Sequence, residues 1–75
     1  MKPIAKAQRK FSNYLTSNHP TFESIYYDGK LSGYILCSNS IDKIYFKITL
    51  NSDDTKAKIT FQLAPVEFQE VILEL

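Results

Sequence analysis

The chain begins with a helical rhythm. Ile4, Ala7, Phe11, Tyr14 and Leu15 recur at spacings of three and four and make one apolar stripe. The spacing predicts a helix over Pro3 to Ser17. Pro3 suits a first turn, where its missing N–H would be unpaired anyway. Asn18 is read as a left-handed cap, and Pro20 stops the helix. Lys6, Arg9, Lys10 and Asn13 fall opposite the stripe, so the helix carries a basic outer face.

Beyond Pro20 the rhythm changes to two. In KIYFKITL, Ile44, Phe46, Ile48 and Leu50 alternate with Lys43, Tyr45, Lys47 and Thr49. In KAKITFQL, Ala57, Ile59, Phe61 and Leu63 alternate with Lys56, Lys58, Thr60 and Gln62. These two strands, joined by the loop NSDDT at 51–55, are expected to form an antiparallel hairpin with one buried face. Upstream, FESIYYDGKLSGYILC carries Asp28-Gly29, the chemistry of a tight two-residue turn. That turn sets Tyr27 opposite Lys30 and Tyr26 opposite Leu31. One face then collects Phe22, Ser24, Tyr26, Leu31, Gly33, Ile35 and Cys37, and this is expected to be the core face. The other collects Glu23, Ile25, Tyr27, Lys30, Ser32, Tyr34 and Leu36. A slip of one residue would exchange Tyr26 with Tyr27. SNSID at 38–42 reads as a polar connection. In the tail, Phe68, Val71, Ile72 and Leu75 fit a helical stripe that Pro65 and Glu67 would open; a fifth strand is the rival reading.

The expected architecture is α+β and occupies residues 1–75 as a single compact domain. An N-terminal helix precedes a four-stranded antiparallel sheet made of two hairpins. A C-terminal helix (or fifth strand) follows, and the helices lie on one sheet face. The opposite face is then open.

Composition narrows the function. The chain has 75 residues, with 9 basic and 8 acidic side chains and a formal net charge of +1. A dedicated polyanion binder would be more basic. A hydrophobic fraction of 44% argues against disorder. One cysteine makes no internal disulfide and fits a reducing, cytoplasmic setting. No stretch is long and apolar enough for a signal or a membrane span, so no membrane association is expected.

Catalytic chemistry is sparse. His19 is the only histidine, in a turn before Pro20, and Cys37 ends a core-facing strand. Neither offers the convergent polar setting a nucleophile or general base needs. Two glycines make no phosphate cradle, and Asp53-Asp54 lacks calcium-loop spacing. The expectation is a non-enzyme with no cofactor and no metal.

Two surfaces are left. One is the charged helix faces: Lys6, Arg9 and Lys10 on the first, and Glu67, Glu70 and Glu74 on the expected last helix. No basic residue follows Lys58. The other is the open sheet face, expected to present Tyr27, Tyr34 and Tyr45 among Lys30, Lys43, Lys47 and Lys58. Tyrosines are favoured in protein interfaces. The main expectation is therefore a protein-binding module: a regulator, adaptor or inhibitor acting by surface complementarity, with a homodimer as one way to cover the face. The alternative is single-stranded nucleic acid, with bases stacked on the rings and phosphates held by the lysines.

Overall fold

The computed structural model describes residues 2–38 and 42–75. One helix, α1 (Pro3–Asn18), precedes five strands: β1 (Phe22–Tyr27), β2 (Ser32–Cys37), β3 (Lys43–Leu50), β4 (Lys56–Ala64) and β5 (Glu67–Glu74). The sheet order is β1-β2-β3-β4-β5 and every neighbouring pair is antiparallel, a meander. The class is α+β, as the two rhythms imply. Most of the connection expected at 38–42 lies outside the described residues.

Helix α1 forms where its stripe predicts. Ala7, Phe11 and Leu15 are fully buried. Phe11 seats its ring against Phe46 (centroids 4.8 Å apart) and Phe61 (5.7 Å). Ile35, Ile48, Ala57 and Ile59 complete the core. A Phe in such a site contributes about 3–5 kcal/mol over Ala, which is why a short helix that would fray alone holds here. The helix does not end at a left-handed Asn18. Asn18 is its last residue, and its amide donates to the Tyr14 carbonyl at 3.0 Å. The His19 N–H closes the turn on Leu15 at 2.9 Å, and Pro20 prevents another.

The tail is a strand, not a helix. Ala64 pairs with Glu67, so Pro65 and Val66 make a two-residue turn that sends the chain back along β4. The helical stripe is divided between two faces. Val71 and Leu73 lie opposite Ile59 and Ala57 on the core side, whereas Phe68 and Ile72 lie on the other. Pairing with β4 satisfies a row of its main-chain groups, while an isolated helix of eight residues would be marginal. A single helix thus covers one face of a five-stranded sheet.

The first hairpin also departs from its turn signal. Tyr27 pairs with Gly33, and residues 28–31 connect β1 to β2 in place of a two-residue turn at Asp28-Gly29. Neither glycine has a positive φ. The Asp28 N–H donates to the Ser32 carbonyl at 3.1 Å, and the Ser32 hydroxyl to the Asp28 carboxylate at 2.9 Å. Tertiary contacts explain the longer loop. Leu31 packs on the core, its carbonyl accepts from Ile48 N–H, and the Gln8 amide donates to the Lys30 carbonyl at 2.6 Å.

Lengthening the loop reverses β1. Ile25 and Tyr27 turn to the core, and Ser24 and Tyr26 to the open side. An irregularity between Phe22 and Ser24 absorbs Glu23 and returns Phe22 to the core face. The faces of β2, β3 and β4 follow the expected alternation up to Gln62, where a second irregularity precedes Ala64.

Candidate recognition face

Away from α1, the sheet shows an unbroken cross-strand row. Tyr26 pairs with Tyr34, Tyr34 with Tyr45, Tyr45 with Gln62, and Gln62 with Phe68. Five strands thus contribute four aromatic rings and one amide along a single line. Directly opposite side chains on one face touch, so the row acts as one surface. Tyr26 and Tyr45 are 47% and 49% exposed, and Phe68 is 59% exposed.

The rings are held before any partner arrives. Tyr26 stacks on Tyr34 with centroids 5.1 Å apart and planes 22° apart. Tyr45 meets Tyr34 edge-on at 6.2 Å. The Lys43 ammonium lies 4.6 Å from the centre of the Tyr34 ring, a cation–π contact with a diagonal neighbour. Tyr34 is therefore contacted by three neighbours and half-buried among them, while its flanking tyrosines are more exposed.

Lysines border the row on both sides, Lys43 before Tyr45 and Lys47 and Lys58 beyond it, and carboxylates appear at its far end. Lys43 lies opposite Leu36, and Lys47 lies between Ser32 and Thr60. Lys58 lies between Thr49 and Ile72, and Lys56 faces Glu74. Glu70 and Glu74 share this face on β5, with Ile72 between them at 64% exposure. Beside Tyr45 an open depression of about 520 Å³ is lined by Asp42, Lys43, Tyr45, Gln62, Leu63 and Pro65.

The expected site residues divide into three groups. Tyr34, Lys43, Tyr45, Lys47 and Lys58 are together on this face. Tyr27 and Lys30 are not. Tyr27 lies on the core side, where its ring meets Phe46 edge-on at 5.4 Å. Its hydroxyl is buried and finds no hydrogen-bond partner among the described residues; burial pushes its pKa up. Tyr26 takes its place outside. Lys30 sits in the connection under α1, held there through its carbonyl. Lys6, Arg9 and Lys10 belong to the helix that covers the other side, so they form a separate surface. The expected acidic helix face does not exist; its glutamates lie along β5. Phe68, Gln62 and Ile72 are members of the face that the helical reading of the tail concealed.

His19 and Cys37 both line a small cavity of about 40 Å³ with Ile35, Ile44 and Phe61, and the His19 ring meets Tyr14 edge-on. Among the described residues no three His, Cys, Asp or Glu side chains converge as a metal would require. Asp53 serves its own loop. The Thr55 hydroxyl donates to its carboxylate at 2.7 Å and holds its pKa below the ordinary range. Among the described residues no helix is long and apolar enough to cross a membrane. Comparison with protein-family models, curated proteins and solved structures gives no match to this chain.

Proposed function

We propose that this chain is a protein-binding module that uses the aromatic row of its open sheet face, acting as a regulator, adaptor or inhibitor by occupying a partner's surface. One observation carries the reading: Tyr26, Tyr34, Tyr45 and Phe68 stand in one line across all five strands, prepositioned and half accessible. Interfaces gain most from rigid aromatic groups, because little side-chain entropy is lost on binding. The depression beside Tyr45 would accept a side chain from the partner, and the bordering lysines and glutamates would form a mixed polar rim.

Single-stranded nucleic acid is served less well by this geometry. Base stacking needs free ring faces. Tyr34 has Tyr26 on its face, Tyr45 at its side and Lys43 over its ring. Glu70 and Glu74 at the end of the same face would repel phosphates.

The test places a photo-crosslinking amino acid at Tyr45 or, as a control, at Lys10 on the helix surface, in cells of the native host. A discrete adduct with one identified protein from position 45, absent from position 10 and lost on Tyr26→Ser, is the expected result. A second copy of this chain would count as that protein, and sedimentation would identify it. No adduct at position 45, or a mobility shift of oligo-dT that persists at moderate salt, would overturn the proposal.

A further inference from the structure

The row of aromatics ends at β5, and β5 is the more available of the two sheet edges. Its main-chain polarity follows from the ladder. The Leu75 N–H donates to the Thr55 carbonyl at 2.8 Å, so Leu75 and Thr55 form a hydrogen-bonded pair. Alternation then aims the N–H and C=O groups of Leu73, Val71 and Gln69 at β4. Those of Glu74, Ile72, Glu70 and Phe68 are aimed outward, away from the sheet. These four are also the residues whose side chains lie on the open face. The edge runs for eight residues with no proline, glycine or lysine, and its only irregularity lies at its start, opposite Gln62 and Ala64.

The other edge is closed to such use. β1 has six residues and is broken by the irregularity at Glu23. Asp28 donates to Ser32 and so faces β2, which leaves only Ile25 and Tyr27 aimed outward between the irregularity and the loop. Bulges and short length are how edges are protected from unwanted pairing.

Charge decides what β5 would accept. It holds Glu67, Glu70 and Glu74 and no basic residue. Lys56 faces Glu74 from β4, but Glu70 faces only Thr60. Two copies of β5 set edge to edge would place Glu70 and Glu74 of both strands on one face with no basic residue on either strand, a net repulsion that disfavours the pairing. A basic strand is attracted instead.

We infer that β5 is a docking edge for an extended basic peptide segment, which adds to the sheet as a sixth, antiparallel strand. The pattern is set by the four outward residues. A partner running antiparallel meets Glu74, Ile72, Glu70 and Phe68 in turn at every second position. It therefore carries Lys or Arg, then a β-branched apolar residue, then Lys or Arg, then an aromatic, with one residue between each. The aromatic would lengthen the row that begins at Tyr26. Main-chain bonds give the affinity and the alternate side chains the selectivity. The inference stands on the strand edge, not on the tyrosine row, and either can fail alone.

The test uses the full chain and the synthetic peptide Lys-Thr-Val-Thr-Lys-Thr-Tyr, capped at both ends, beside a peptide with both lysines replaced by glutamate. Residue-resolved hydrogen exchange by NMR is the main readout. The basic peptide should slow exchange of the Phe68, Glu70, Ile72 and Glu74 amides at least about tenfold at saturation and leave Ile25 and Tyr27 unchanged. Fluorescence anisotropy should show the acidic peptide at least about tenfold weaker. Ile72→Pro deletes an outward N–H without touching a bond to β4, so it should keep the fold and lose the peptide. If that variant unfolds, Glu70→Lys takes its place: it should weaken the basic peptide and strengthen the acidic one, and unchanged affinities would count against the edge. Tyr45→Ser should bind the peptide as the parent does. No protection at millimolar peptide, equal affinity for both peptides, or protection on β1 instead would each overturn the inference.

Discussion

Gly33→Ala, compared with Gly29→Ala, tests the strand register on which the recognition face depends. A β-carbon at Gly33 would collide with the Tyr26 carbonyl oxygen and come within 2.9 Å of the Tyr26 carbonyl carbon and the Tyr27 Cα. These are main-chain atoms of the paired strand, so no rotamer change relieves the clash. Overpacking against side chains that can move costs about 1–3 kcal/mol. Here the loss should be at least about 3 kcal/mol, since strands must separate or the hairpin must shift. A chain of 75 residues has roughly 4–11 kcal/mol in total, at about 0.05–0.15 kcal/mol per residue. At a urea slope near 1 kcal/mol/M, the midpoint should fall by about 3 M, or the variant should be unfolded without denaturant. At Gly29 the same β-carbon meets only the Ser32 hydroxyl, at 3.3 Å, and φ is not positive. That change should stay within about 0.5 kcal/mol. Urea unfolding followed by circular dichroism on both variants gives the comparison. Equal midpoints for the two would refute the reasoning. The Tyr26–Tyr27 main chain would then not run against Gly33, and Tyr26 would lose its place in the row.

Two further outcomes are expected. Tyr27→Phe removes a buried hydroxyl that has no partner among the described residues and should stabilise by about 1 kcal/mol. Because burial raises the Tyr27 pKa above 10.0, the parent's stability from the neutral phenol is complete below that pH and lost as pH rises through the folded value; urea midpoints from pH 8 to 11 should therefore fall more for the parent than for the variant, and parallel curves would contradict this. Asn51→Ala deletes the acceptor of the Thr55 and Lys56 N–H groups, at 2.8 and 2.9 Å, and should lower stability by about 1–2 kcal/mol in thermal unfolding; a loss below about 0.3 kcal/mol would mean the loop is held otherwise.

Periodicity was enough wherever one element faced one environment. The α1 stripe and the alternation in β3 and β4 read directly, because each has a buried side and a wet side over many residues. The reading failed where two cues competed. Asp28-Gly29 has strong local turn chemistry, but the Leu31 carbonyl accepts from Ile48 N–H and the Lys30 carbonyl from the Gln8 amide, which holds both residues out of the β1–β2 ladder and lengthens the loop. The partner of Tyr27 moved three positions, from Lys30 to Gly33, and an odd shift reverses a whole strand, so Tyr26 and Tyr27 exchanged roles. In the tail, Val71, Ile72 and Leu73 look helical because they are contiguous. On a strand that contiguity means apolar groups on both sides, one facing the core and one left on the open face. The lysines of the face were legible; Phe68 and Gln62 were not, since their membership depends on pairing with a strand the sequence did not demand.

The meander has a kinetic consequence. Each strand pairs with the one made just before it, so every hairpin closes a short loop at small entropic cost. Only α1, the first segment of the chain, must wait: its Phe11 needs Phe46 and Phe61, and it reaches both outer strands, β1 and β5. The helix therefore ties a ribbon of local pairings together through contacts distant in sequence, and its docking should be the slower, long-range step of folding.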